Sequence, residues 1–183
     1  MKNALILHGK SSSSRENWFP WLKQELQRKG YTVWCPDIPN FGRPQMREAA
    51  RHILDLCDLN AESVLIGHSA GATLILGILQ NYVKKEPVAK AILVAGFGKS
   101  LGAGWEENEG LFKDPFNWSK IKESCKEFVF IHSDDDPYVD LSQGEFLLQK
   151  LGGELVTMSG QKHFSTETMG DKLRTFPEIL KYV

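Results

Sequence analysis

Residues 63–76 read Ser-Val-Leu-Ile-Gly-His-Ser-Ala-Gly-Ala-Thr-Leu-Ile-Leu: an apolar run, a Gly-x-Ser-x-Gly pentapeptide and a second apolar run. The pattern predicts a strand, a tight turn and a helix, with the serine at the apex of a strained turn. Gly67 and Gly71 then leave no side chain to collide with the neighbouring strand and helix. Ser69 becomes an exposed nucleophile. The first N–H groups of the helix have no intrahelical partner and lie at the positive end of its dipole, so the N–H of Ala70 is placed to hold an oxyanion. The bland alternative is a structural turn without chemistry.

Before this unit, residues 3–7 form a short apolar run that ends at His8-Gly9 and a serine-rich loop. Trp18, Phe19, Trp21, Leu22 and Leu26 recur at helical spacing before Gly30, a helix terminator, and read as core. Residues 31–35 alternate toward a second strand. A Pro-rich loop with Asp37 in its turn then leads to a helix over 45–56. After the unit come strands over 88–95, 128–132 and 154–157, with helices over 142–151 and 169–182. Strands alternating with helices predict parallel pairing through right-handed crossovers: an α/β fold of about six mainly parallel strands, helices on both faces, and a site at the carboxyl ends of the strands. The irregular stretch is 96–117, which is longer than most connections and reads either as a lid or as a plain surface loop.

A length of 183 residues with 42% hydrophobic content fits one compact domain over 1–183 with its own core. Lys+Arg 22 against Asp+Glu 23 leaves a net charge of -1, which gives no electrostatic case for nucleic acid or an anionic membrane. A small molecule is the expected partner. Cys35, Cys57 and Cys125 are far apart and lack metal-ligand or Cys-x-x-Cys spacing, so they read as free thiols in a reducing compartment. The opening apolar run is too short for a signal-peptide core, and no run approaches the ~18 residues of a membrane span. The expected location is cytoplasmic.

A serine hydroxyl needs a base within hydrogen-bond reach and a group that orients that base. In this strand-turn-helix architecture the acid and then the histidine follow the serine, each on a loop after a later strand. The fifth strand ends in His132-Ser133-Asp134-Asp135-Asp136-Pro137, and the sixth is followed by Gln161-Lys162-His163-Phe164. Asp136 is the favoured acid, since the following proline stiffens the turn, and Asp135 is the reserve. His52 falls within a helix, His68 inside the turn and His132 before the acid loop, leaving His163 as the base. Three adjacent carboxylates also raise the possibility of a divalent-metal site, but neighbouring side chains diverge and calcium-loop spacing is missing, so no metal or cofactor is expected. The second oxyanion donor is expected after the first strand, where His8-Gly9 permits a tight turn aiming the N–H of Lys10, or by a one-residue shift that of Ser11.

The strand ending in His8-Gly9, the Trp18-Phe19-Pro20-Trp21 helix, Ile66-Gly67-His68-Ser69-Ala70-Gly71, the segment containing Pro115 and Trp118, Asp135-Asp136-Pro137 and His163-Phe164 together resemble a known family. It is the small serine hydrolases that include retinoblastoma-binding protein nine and YdeN-type proteins. The resemblance spans most of the chain and implies a three-layer α/β-hydrolase fold without a separate cap domain, with a triad of Ser69, Asp136 and His163. Family members commonly carry glycine where this chain has Lys162. Their retinoblastoma-protein contact is attributed to Leu-x-Cys-x-Glu, whereas this chain has Asp55-Leu56-Cys57-Asp58-Leu59, so that partner is not implied. The expected activity is hydrolysis of a small ester, carboxylesterase-like, with short acyl groups favoured at a shallow site. Amide or peptide hydrolysis by the same mechanism, or a protein-interaction module on the same fold, are the alternatives.

Overall fold

The computed structural model describes residues 2–183. Its strands are β1 (Asn3–Leu7), β2 (Thr32–Trp34), β3 (Val64–His68), β4 (Val88–Val94), β5 (Cys125–Ser133) and β6 (Glu154–Met158). The helices are α1 (Phe19–Arg28), α2 (Met46–Leu56), α3 (Ala70–Asn81), α4 (Trp118–Glu123), α5 (Ser142–Leu151) and α6 (Thr166–Met169). All pairings are parallel and the strand order is β2-β1-β3-β4-β5-β6. The chain steps from β1 out to β2, then returns past β1 to β3 and continues outward. The order therefore reverses between β1 and β3, where an open parallel sheet leaves a crevice beyond its carboxyl ends.

Side-chain alternation along the central strands sorts residues into two cores, one on each face. Leu5, Leu7, Leu65, Leu93 and Phe130 meet Ile53 of α2, Leu74 of α3 and Leu147 of α5. Ala4, Ile6, Ile66, Ile92 and Ile131 meet Phe19, Leu22 and Leu26 of α1, together with Phe176 and Ile179 near the C-terminus. Because helices cover both faces, β1 and β3 are buried along their whole length, and they read as continuous apolar runs instead of alternating ones.

Two expectations need correction. The helix expected over 169–182 is replaced by α6 and two 3₁₀ turns, Gly170–Arg174 and Pro177–Lys181. Gly170 ends α6 with φ +65°, and Pro177 forces Phe176 out of the helical region (φ −142°, ψ 72°), so the hydrophobic spacing is met by short turns. Sequence periodicity also passes over α4, since six residues are too few to show it; its mark is Asn117, whose side chain accepts the N–H of Lys120 at 3.0 Å.

Candidate active site

The turn between β3 and α3 has the backbone geometry of a nucleophile elbow. Ser69 sits at φ +54°, ψ −125°, a region L residues rarely occupy, and its N–H donates to the Val94 carbonyl of β4 at 2.9 Å. The flanking glycines are dictated by space. A Cβ on Gly67 would lie 2.6 Å from Ala72 Cα, and one on Gly71 would lie 2.3 Å from the His8 carbonyl oxygen. The turn closes only because those atoms are missing.

The acid and histidine loops meet because their strands are in register: Ser133 at the end of β5 pairs with Met158 at the end of β6. The three aspartates that follow β5 each take a different part of the loop after β6. Asp134 accepts the Ser159 hydroxyl at 2.7 Å and the Gly160 N–H at 3.0 Å. Asp135 accepts the Lys162 N–H at 2.9 Å and pairs with the Lys162 ammonium at 2.8 Å. Asp136 receives Nδ1–H of His163, at 2.8 Å to Oδ2 and 3.1 Å to Oδ1. Its Oδ1 also accepts the N–H groups of Tyr138 and Val139 at 2.8 and 3.0 Å, and its side chain is 1% exposed. Two backbone donors fix the carboxylate, and the carboxylate fixes the ring with Nε2 directed away. The carboxylates thus diverge toward separate partners, and no group of three or more His, Cys, Asp or Glu is placed to hold a metal among the described residues.

Ser69 and His163 line one cavity of about 670 Å³, within the usual range for small-molecule sites. Among the described residues the His163 ring hydrogen-bonds to Asp136 and not to the Ser69 hydroxyl; nucleophile-base bonds are often long until substrate binds. Gly9, Lys10 and Ser11 form another wall of the cavity. The N–H groups of Lys10 and Ala70 have no acceptor among the described residues, as oxyanion donors require. His8 shapes the turn before Lys10. Ile38 N–H donates to its Nε2 at 2.9 Å, so Nδ1 carries the proton and donates to the Gly9 carbonyl at 2.7 Å.

Residues 96–117 wall the cavity with Phe97, Leu101, Trp105 and Asn108. Thr73 of α3 donates to the Phe97 carbonyl at 2.7 Å, and Gln143 of α5 accepts the Gly98 N–H at 3.2 Å. The indole of Trp105 lies edge-on to Tyr138, 5.7 Å between centroids, and under the Lys10 ammonium, which pairs with Glu107. Phe112 and Trp118 face elsewhere: Phe112 packs on Phe97 and Phe116, and Trp118 on Phe146. The cysteines offer no rival nucleophile, since burial pushes the Cys35 thiol up to about 11 and those of Cys57 and Cys125 to about 12.

The family model for serine hydrolases matches residues 4–182 of this chain. The chain belongs to the serine hydrolase family. It is 32% identical to YdeN of Bacillus subtilis over 164 residues, 89% of this chain and 86% of that one. It is 24% identical to the rat serine hydrolase RBBP9 over 181 residues, 94% of this chain and 91% of the relative. The crystal structure of the B. subtilis ydeN product superposes with a TM-score of 0.91 at 28% identity, covering all of this chain and 96% of that one. In architecture the serine hydrolase is a three-layer α/β-hydrolase fold.

Several residues of this serine hydrolase site escape sequence reasoning. His68, read as locked inside the turn, donates from Nε2 to the His163 carbonyl at 2.7 Å. Trp18, read as core, is fully buried but also donates from Nε1 to the Phe164 carbonyl at 3.0 Å. Asn108 is 4% exposed, and its Oδ1 has no hydrogen-bond partner among the described residues. No local pattern marks these contacts, which join segments up to 146 residues apart.

Proposed function

We propose that the protein is a carboxylesterase-like serine hydrolase acting on small acyl esters through an acyl-enzyme on Ser69. The observation that carries this reading is the Asp136–His163 hydrogen bond, 2.8 Å long and buried, with its ring in the cavity that holds Ser69. Ser69 Oγ attacks the ester carbonyl while His163 Nε2 takes its proton. Asp136 holds the Nδ1–H tautomer and stabilises the imidazolium that forms. The tetrahedral oxyanion is held by the N–H groups of Ala70 and Lys10, and its collapse expels the alcohol with the proton returned from His163. Water then repeats the sequence on the acyl-enzyme and releases the acid.

Short acyl groups suit the site because Phe97, Leu101, Trp105 and Val139 supply its apolar wall while Lys10, Glu16, Asn17 and Glu167 line it with polar groups. The test is a panel of p-nitrophenyl esters of increasing acyl length, run beside aminoacyl arylamides. Esters of short acids are expected to be hydrolysed fastest. Arylamide turnover exceeding ester turnover contradicts the ester assignment. A steady rise toward long acyl chains contradicts the short-acyl assignment.

A further inference from the structure

The two residues that flank His163 both occupy the left-handed backbone region, Lys162 at φ +48° and Phe164 at φ +50°. L side chains resist that conformation, so something must hold each of them there. Phe164 is held by its own N–H, which donates to the Gln161 carbonyl at 3.0 Å, and by the Trp18 indole on its carbonyl. Lys162 is held by one carboxylate at two points. Asp135 Oδ1 accepts its N–H at 2.9 Å, and Oδ2 meets its ammonium at 2.8 Å. The carboxylate is itself oriented by the Ser133 hydroxyl, 2.7 Å from Oδ1, and that hydroxyl oxygen accepts the Gln161 N–H at 2.9 Å.

An ion pair between half-exposed side chains contributes little by itself. This one differs because the same carboxylate grips both the main chain and the side chain of one residue, closing a ring that selects a single φ at Lys162. The next residue is His163. A change of φ at 162 swings the imidazole off Asp136 and changes its aim toward the cavity it shares with Ser69, and a misplacement of about 1 Å can lower turnover on the order of 100-fold.

We propose that Asp135 is a positioning residue: acting through Lys162, it holds the left-handed turn that aims His163, and it is required only because residue 162 is not glycine. The proposal rests on the reading of His163 as the base. It differs from a triad role for Asp135 in one decisive way. Glycine adopts positive φ without strain, so Lys162→Gly makes the clamp dispensable.

The experiment compares wild type, Asp135→Ala, Lys162→Gly and the double variant in p-nitrophenyl ester hydrolysis. Asp135→Ala is expected to lose roughly 10- to 100-fold in kcat with KM within about twofold, and the other two to stay within about threefold of wild type. A double variant as impaired as Asp135→Ala overturns the proposal, because Asp135 then acts on His163 directly. Unimpaired Asp135→Ala overturns it as well. Amide hydrogen exchange at Lys162 reads the clamp without reference to activity. Exchange at least about tenfold faster in Asp135→Ala is expected, and unchanged exchange overturns the proposal. Wild type inactive on every ester removes the hydrolase reading alone, since the exchange measurement still decides whether the clamp exists.

Discussion

His68 Nε2 donates to the main-chain carbonyl of His163 at 2.7 Å, so the residue before the elbow serine fastens the loop that carries the candidate base. A carbonyl only accepts, so Nε2 of His68 carries a proton, and burial keeps the ring neutral with Nδ1 bare. The turn that carries Ser69 and the loop that carries His163 are therefore joined through one buried hydrogen bond as well as through the cavity they share.

Replacing His68 with phenylalanine tests that link. The ring keeps its packing against Trp18 and Phe19, each 6.1 Å away between centroids, but the donor is lost and the His163 carbonyl is left buried without it. A buried polar group stripped of its partner costs about 1–3 kcal/mol. A thermal melt should show a fall of at least ~2 °C, with a loss in kcat of roughly tenfold or more.

Stability should fall as pH falls below about 6.5, the ordinary value for histidine. Burial lowers His8, and drives His132 down to about 4 and His68 to about 3. His132 and His68 are neutral in the fold, so between pH 6.5 and those values the unfolded chain binds more protons and gains relative to the native state. His132 and His68 each contribute a slope approaching ~1.4 kcal/mol per pH unit across that window, and His8 acts in the same direction. Asp135, held at about 2 by the Lys162 ammonium and the Ser133 hydroxyl, adds its loss only below the ordinary carboxylate range. Urea midpoints at pH 7.5, 6 and 5 should drop at each step. A flat profile would contradict neutral burial of these rings.

The aspartates should separate by role. Asp136→Asn presents the wrong partner to His163 Nδ1 and favours the wrong tautomer; in the serine-protease precedent such a change costs around 10⁴ in kcat. The Asp134 carboxylate bonds Ser159 and Gly160, at the far end of the loop, so Asp134→Asn should change kcat by less than about tenfold, or ~1.4 kcal/mol. Steady-state kinetics on both variants, with circular dichroism to confirm folding, checks the pair.

Asn108 carries a buried Oδ1 without a partner in the wall of the cavity. Substituting leucine removes the unsatisfied group at similar volume, which is neutral or stabilising. Asn108→Leu should raise the melting temperature, by a few degrees if about 1 kcal/mol is recovered. A lower melting temperature would mean that the amide has a stabilising partner in solution.

The elbow was legible in the sequence because its glycines, its serine and the apolar runs around it are contiguous and each answers a local steric demand. Chain order likewise pointed to Asp136 and His163, and the structure brings those two side chains together. What was not legible is tertiary. His132, read only as preceding the acid loop, is fully buried under α5, with both ring nitrogens lacking partners among the described residues. The contacts from His68, Trp18 and Asp135 to the histidine loop depend on which strand ends are neighbours, and periodicity does not report that. Lys162 stood out as a lysine where the resemblance led to the expectation of glycine; only its φ of +48° and its two bonds to Asp135 explain how it is accommodated. The C-terminal segment misled because apolar spacing alone cannot distinguish a helix from turns broken at Gly170 and Pro177.

The most direct test of Ser69 as nucleophile is active-site labelling with a fluorophosphonate probe, followed by mass spectrometry of the modified peptide. Wild type is expected to carry a single adduct on Ser69, and Ser69→Ala none. Labelling that persists in Ser69→Ala, or an adduct on Ser133 or within residues 11–14, would contradict the assignment.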